Sequence, residues 1–306
     1  MSSDRYRGCL LGLACGDAVG TTVEFKPRGS FPPVTDMVGG GPFHLNPGEW
    51  TDDTSMALCL GSSLVECGSF DATDQMQRYC RWQDDGYWSS NGRCFDIGNT
   101  VANALNRFRS SGEPFSGSTH PKSAGNGSIM RLAPVVMFFA PDGAAVQRYA
   151  AESSRTTHGC DEAVDACRLF GAMLLRALEG ATKEEILAAD VETPADGRGL
   201  CPSILAIQRG AWRSKQETEI RGTGYVVDSL EAALWCFATT GSFRDAILRA
   251  TNLGNDADTT AAVCGQIAGA YYGAEGISAE WREKLALREE IEDLAQALDE
   301  AQPDPT

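Results

Sequence analysis

Two acidic segments stand near opposite ends of the chain, Trp50-Thr51-Asp52-Asp53-Thr54-Ser55 and Gly254-Asn255-Asp256-Ala257-Asp258-Thr259-Thr260, each just ahead of an Ala-rich, helix-like run. Both set carboxylates beside hydroxyls where a loop enters a helix, so oxygen ligands from the two ends could meet around hard divalent cations. Residues two apart do not face one another inside a helix. At a helix start the chain is not yet helical, so Asp256 and Asp258 can converge while Ala257 turns aside. Asp52, Asp53, Asp256 and Asp258 match two Mg²⁺ or Mn²⁺ ions in formal charge, and Thr51 and Thr259 add neutral oxygens. Two such ions about 4 Å apart repel by roughly 17 kcal/mol at an effective dielectric near 20, so several carboxylates are required. Zinc is disfavoured, because His44, His120 and His158 are the only histidines and none has ligand spacing to another. The plain alternative is helix capping, with Thr51 and Asp256 as N-caps and acids in the first turn. Either segment alone would favour capping; the pair favours metal.

Further polar landmarks are spread between them. Gly16-Asp17-Ala18-Val19-Gly20 precedes Glu24-Phe25; Asp17 reads as a buried anchor, and Glu24 as either a catalytic acid or a loop acid. Asp96-Ile97-Gly98-Asn99-Thr100 offers a second candidate acid that could equally cap the next helix. In Gly125-Asn126-Gly127-Ser128-Ile129-Met130-Arg131, backbone N–H groups near a helix start could receive phosphate or ribose oxygens, although the same residues make an ordinary turn. The segment is not a Walker loop, since Gly-Lys-Ser/Thr is missing. Arg131 could tether a loop carboxylate. His158, after Thr156-Thr157, is open to ligand contact or capping, and Tyr225 in Gly222-Thr223-Gly224-Tyr225-Val226 to ring stacking or core packing.

The elements that must carry these residues read as helices. Apolar periodicity predicts helices over Tyr6–Ala18, Asp53–Glu66, Asp71–Gln83, Asp96–Phe108, Gly127–Phe139, Asp142–Ser154, Asp161–Glu179 and Lys183–Asp190. Others follow over Ser203–Trp212, Val226–Thr239, Phe243–Thr251, Thr259–Tyr272 and Ala279–Ala301. Alternating strand patterns are almost absent, which implies an all-α domain. A Gly/Pro-rich connection, Pro27 to Gly48, has the character of segments that cover active sites; Val191 to Gly199 reads as a loop. No internal repeat separates the chain, so residues 1–306 are expected to form one domain. Its last segment, Ser278 to Thr306, holds nine acidic and three basic residues; Ile291, Leu294 and Leu298 give it one apolar face before a frayed, proline-ended tail.

With 306 residues, 42% of them hydrophobic, the chain can fill a sizeable core. A net charge of -16 argues against nucleic acid or an anionic membrane surface as partner. No run approaches the roughly 20 apolar residues of a membrane span, and no secretory signal is evident. The 11 cysteines are scattered through apolar patterns without a C-x-x-C unit, so they are read as reduced, mostly buried thiols in a cytoplasmic protein. A monomer is expected.

Taken together, Gly16-Asp17 with Glu24-Phe25, Trp50 to Thr54, Asp96 to Thr100, Gly125 to Arg131, Gly222 to Asp228 and Asn255 to Thr260 resemble the ADP-ribosylglycohydrolase family, especially bacterial members of the dinitrogenase-reductase-activating type. The resemblance runs from near the start of the chain to about Ala270. It implies a compact, orthogonal all-α bundle with a binuclear Mg²⁺ or Mn²⁺ centre that releases ADP-ribose from an ADP-ribosylated protein or a related small molecule, with an arginine guanidinium linkage favoured over serine. A metal-dependent ADP-ribose-binding module without turnover is the alternative. The family's metal motif falls on Thr51, Asp52, Asp53, Asp256, Asp258 and Thr259. Catalytic acids fall on Glu24 and on Asp96 of the Asp-x-Gly motif, the ADP-ribose loop on Gly125, Asn126, Gly127 and Ser128, and further ligand contacts on His158 and Tyr225.

Overall fold

A computed structural model describes residues 1–192 and 197–301. Residues 193–196 of the expected Val191–Gly199 loop, and the expected frayed tail beyond Ala301, lie outside the described residues. Among the described residues fourteen α-helices follow one another: α1 (Ser3–Gly20), α2 (Asp52–Cys67), α3 (Ala72–Asp85), α4 (Asn99–Ser111), α5 (Ala133–Phe139), α6 (Gly143–Thr157), α7 (Asp161–Leu178), α8 (Lys183–Leu187), α9 (Pro202–Gln208), α10 (Val226–Ala238), α11 (Phe243–Thr251), α12 (Ala257–Tyr272), α13 (Ala279–Lys284) and α14 (Arg288–Glu300). Extended pairing among the described residues is confined to isolated bridges, two of which, Ser118 with His158 and Gly125 with Tyr225, flank the site described below. The architecture is all-α, as the periodicity predicts.

α1 and α12 form the centre. Both are buried on nearly every side, which explains why neither shows a one-sided apolar face. They run antiparallel with their backbones in contact. A Cβ on Gly12 would come within 2.3 Å of the Gly265 carbonyl oxygen, and one on Gly16 within 2.1 Å of the Ala261 oxygen. Gly8 meets Gly269, and Gly20 meets Ala257 in the same way. Small residues every four positions thus let two helices from opposite ends of the chain lie closer than side chains would allow. This contact sets the C-terminal end of α1 against the N-terminal end of α12. Helices α2, α5, α7, α10, α11 and α14 pack around the pair, and Ile291, Leu294 and Leu298 are buried as expected.

Several helix boundaries depart from the periodicity. Helix α5 starts at Ala133 rather than Gly127, because Pro134 favours the first helical turn and Asn126 N–H is already committed to the Gly224 carbonyl, at 3.1 Å. Asp96 does not cap α4; it adopts a left-handed φ of 60°, and Gly98 takes the cap position. The stretch expected as one helix over Ala279–Ala301 is two, broken where Ala286 N–H bonds the Gly48 carbonyl and Leu287 turns left-handed. The helix expected over Ser203–Trp212 ends at Gln208, with Gly210 left-handed before a short 3-10 turn over Ala211–Ser214. The long connection after Phe25 is strapped down by Arg28, which donates to the Leu253, Glu217 and Ile220 carbonyls at 3.3, 2.6 and 2.5 Å. Every cysteine is a free thiol, and seven of the eleven are buried.

Candidate active site

The start of α2 is organised from α1. Asp17, fully buried, accepts four hydrogen bonds: from Thr51 N–H and hydroxyl at 2.9 Å each, from Thr54 N–H at 3.0 Å and from Thr54 hydroxyl at 2.6 Å. Thr51 occupies the N-cap position, yet its side chain makes no capping bond to its own helix. Asp17 caps α2 in its place, which fixes where Asp52 and Asp53 point. Burial raises the Asp17 pKa to about 6 against the opposing pull of those four bonds. Because Thr51 donates its only hydroxyl hydrogen to Asp17, its oxygen lone pairs stay free for a cation.

The start of α12 carries the other half. Asp256 stands at the N-cap without a side-chain capping bond; instead its Oδ2 accepts from Asn126 Nδ2 at 2.5 Å, while its N–H bonds the Gly222 carbonyl at 3.1 Å. The two acidic segments meet where the Thr259 hydroxyl donates to Asp53 Oδ1 at 3.1 Å, 206 positions apart in the chain. Glu24, which follows the 3-10 turn after α1, joins them: ligand-type oxygens of Glu24, Asp96 and Asp258 lie within 4.8 Å of one another. Backbone strain concentrates here. Phe25, Asp96 and Asn255 hold left-handed φ angles of 61°, 60° and 58°, and Phe25 and Asn255 are locked by reciprocal backbone bonds, Phe25 N–H to Asn255 oxygen at 2.7 Å and Asn255 N–H to Lys26 oxygen at 2.8 Å.

These residues floor a cleft of about 390 Å³, lined among others by Glu24, Asp52, Asp96, Asp256, Asp258, Thr259, Gly125, Asn126, Gly127 and His158. The predicted Thr51 and Asp53 lie beneath that floor. Ser128 is buried under the loop, and Tyr225 sits at the margin with its hydroxyl donated to Glu162 at 2.6 Å. Neither is among the lining residues. Val101, which no motif includes, also lines the cleft, as do Met130 and Phe25, which the motifs contain but to which they give no role; Phe25 is 65% exposed at the rim, next to Phe43 and in turn Phe95. The connection that contains Phe43 therefore flanks the mouth. Among the described residues Arg131 tethers no carboxylate; it holds the Gly127 carbonyl at 2.6 Å. An isolated charge inside the apolar run Ile129–Phe139 is the signal for a buried role.

Electrostatically, the site is an excess of acid. Burial first, and then the neighbouring carboxylates, push Glu24 up to about 10 and Asp96 up to about 11, and hold Asp52, Asp53 and Asp258 well above the ordinary carboxylate range. Burial also raises Asp256. Three buried carboxylate oxygens, Glu24 Oε2, Asp53 Oδ2 and Asp258 Oδ1, have no hydrogen-bond partner among the described residues. Such orphaned anionic oxygens are costly unless a cation answers them, so the residues present fit hard divalent cations.

Helices that gather carboxylates from both ends of a chain onto the floor of a polar cleft define an all-α protein with an acid-lined ligand site. The chain belongs to the ADP-ribosylglycohydrolase family, whose model matches residues 2–306. It is 50% identical to an ADP-ribosylarginine hydrolase, Tri1, of Pseudomonas putida, over 98% of this chain and 79% of that protein. It is 31% identical to the ADP-ribosyl-[dinitrogen reductase] glycohydrolase of Rhodospirillum rubrum, over 94% and 92%. A solved ADP-ribosylglycohydrolase-related protein complex superimposes with a TM-score of 0.86 at 43% identity, over 98% of this chain and 99% of the other.

Proposed function

We propose that the protein hydrolyses the N-glycosidic bond between ADP-ribose and an arginine guanidinium of a modified protein, using two divalent cations, Mg²⁺ or Mn²⁺. The observation that carries this reading is the meeting of both acidic helix starts in one cleft, with Asp53 joined to Thr259 and buried carboxylate oxygens left unpartnered. Similarity to arginine-directed relatives supports the choice of linkage. Thr51, Asp52, Asp53, Asp256, Asp258 and Thr259 would hold the cations, with Glu24 close enough to share them. When bound, they would neutralise the carboxylates and act as Lewis acids toward ribose hydroxyls and water.

The chain's own residues supply the rest. Asn126 holds Asp256 in place, and the Gly125–Gly127 backbone offers room for ribose and diphosphate beside His158. Glu24 and Asp96 both line the cleft, and burial favours their protonated forms, so either is suited to carry a proton there. One of them gives that proton to the guanidine nitrogen as the anomeric C–N bond breaks. Water forms the new C–O bond, and its proton restores the acid, so the cycle closes. Asp96, left-handed and facing the cleft, is the favoured acid, and Glu24 the favoured partner to the cations.

The protein is further proposed to act as a cytoplasmic, monomeric single domain on ADP-ribosylated protein rather than on nucleic acid. No described helix is long and apolar enough to cross a membrane. Incubating Mg²⁺-loaded protein with matched arginine- and serine-linked ADP-ribosyl peptides, and following free ADP-ribose, tests the reading. Arginine is expected to be preferred in kcat/KM, the measure of transition-state discrimination. A tenfold preference for serine would overturn the acceptor choice alone. Tight ADP-ribose binding with no release from either peptide would overturn hydrolysis.

A further inference from the structure

Arg131 is fully buried, and none of the ion pairs among the described residues involves it. Its guanidinium lies over the Tyr79 ring at 4.9 Å, and one amino group donates to the Gly127 carbonyl at 2.6 Å. The other donates to the Thr157 hydroxyl oxygen at 2.7 Å. A guanidinium can only donate, so Thr157 accepts there and keeps one hydrogen to give. That hydroxyl oxygen is 2.8 Å from His158 Nδ1, the acceptor in reach among the described residues. A buried hydroxyl hydrogen left unused is costly. Nδ1 therefore accepts, and in a neutral imidazole the single proton must then sit on Nε2.

Nε2 faces the cleft. It has no hydrogen bond to the described residues, and it lies 3.3 Å and 3.2 Å from the positions that a Cβ on Gly125 or Gly127 would take. Any side chain at Gly127 would also meet ring Cε1 at 2.8 Å. The two glycines thus leave the imidazole its place on the cleft wall. The His158 backbone is pinned as well: its N–H bonds Ser154 oxygen at 2.6 Å, and its carbonyl accepts from the Ser154 hydroxyl at 2.8 Å. Burial, seconded by the Arg131 charge, lowers the His158 pKa to about 3, so the ring stays neutral.

We propose that Arg131 and Thr157 are positioning residues that lock His158 as the Nε2–H tautomer and aim that hydrogen into the cleft, as a neutral donor to an oxygen of the bound ligand. The same guanidinium fixes the Gly127 carbonyl, so the loop and the donor are set in one register. On the function proposed above, on which this ligand identity rests, the acceptor is a ribose or diphosphate oxygen of ADP-ribose. Thr157→Val removes the hydroxyl at nearly constant volume and should release the tautomer without unfolding the chain.

The test pairs imidazole ¹⁵N NMR with calorimetric titration of ADP-ribose into Mg²⁺-loaded protein, for the wild type, Thr157→Val and Thr157→Ser. The wild type is expected to show His158 neutral with its proton on Nε2 down to about pH 5. Thr157→Val should shift the tautomer population and weaken ADP-ribose binding about tenfold or more, while Thr157→Ser, which restores the hydroxyl, recovers both. A wild-type proton on Nδ1, an unchanged tautomer in Thr157→Val, or unchanged affinity despite a lost tautomer would each overturn the proposal. Wild-type protein that shows the Nε2–H tautomer but binds no ADP-ribose would instead sink the functional reading and with it the ligand named here, leaving the spectra of the variants to decide the relay.

Discussion

Asp53 and Asp256 each bring one charge to a cluster that must answer divalent cations, so Asp53→Asn and Asp256→Asn should cut both cation retention and turnover. The expected loss exceeds the roughly 10–100-fold typical of residues that merely support a ligand, with little change in far-ultraviolet circular dichroism. Asp96→Asn should spare most cation binding and lower turnover. Metal analysis beside kinetics separates the cases: equal metal loss in Asp96→Asn would place Asp96 among the ligands. His158 gives a pH signature. Its pKa is about 3 in the folded protein and 6.5 in its ordinary state, so between those values the unfolded chain binds a proton that the folded chain does not. Stability from this group is complete above pH 6.5 and is lost as pH falls toward 3. Urea midpoints measured from pH 7 to pH 4 should therefore decline less steeply in His158→Gln than in the wild type; parallel slopes would refute a neutral buried ring.

At the scale of elements, the contact between α1 and α12 holds the site together. It sets Asp17 against the start of α2 and brings Asp258 alongside. Gly16→Val would drive a side chain into the Ala261 carbonyl, and overpacking against backbone cannot relax by rotamer change. A loss of about 3 kcal/mol or more is expected, with turnover falling even where the variant stays folded, because Asp17 and Asp258 separate. Gly241→Ala, at a position with nothing within 4 Å of the added Cβ, serves as control and should shift the thermal midpoint little. Equal midpoints for the two variants would contradict the central role of this contact.

At the scale of the whole molecule, the cleft draws Glu24, Asp96 and Asp258 together from distant parts of the chain. Divalent cations that bind only the folded state should stabilise it by mass action. Chelation with EDTA is expected to lower the melting temperature by several degrees, about 1–3 kcal/mol of linkage at millimolar cation, and added Mg²⁺ or Mn²⁺ should reverse it. Calorimetry of the loaded protein is expected to give one transition, as a single domain requires. Two resolved transitions would divide the chain, and an EDTA-insensitive midpoint would count against cations at the carboxylates.

Periodicity alone determined that this chain is all-helical, because a 3.6-residue apolar repeat records that one face of a segment is buried. The acidic helix starts at Asp52–Asp53 and Asp256–Asp258 were legible for the same local reason, and so was the apolar face of Ile291, Leu294 and Leu298. What a repeat does not record is the partner. The stripe of Gly8, Gly12, Gly16 and Gly20 has no local preference for helix, and its meaning appears only when α12 lies against it. Capping of α2 was expected from Thr51 and comes from Asp17, a residue 34 positions earlier. Ser128 sits in a loop composed like a ligand cradle and yet turns into the core, and Asp96 faces the cleft through a left-handed turn that no side-chain pattern announces. Residue types and spacing thus determined which chemistry was available, whereas tertiary structure decided which groups meet, because a contact between distant segments depends on packing that neither segment encodes by itself.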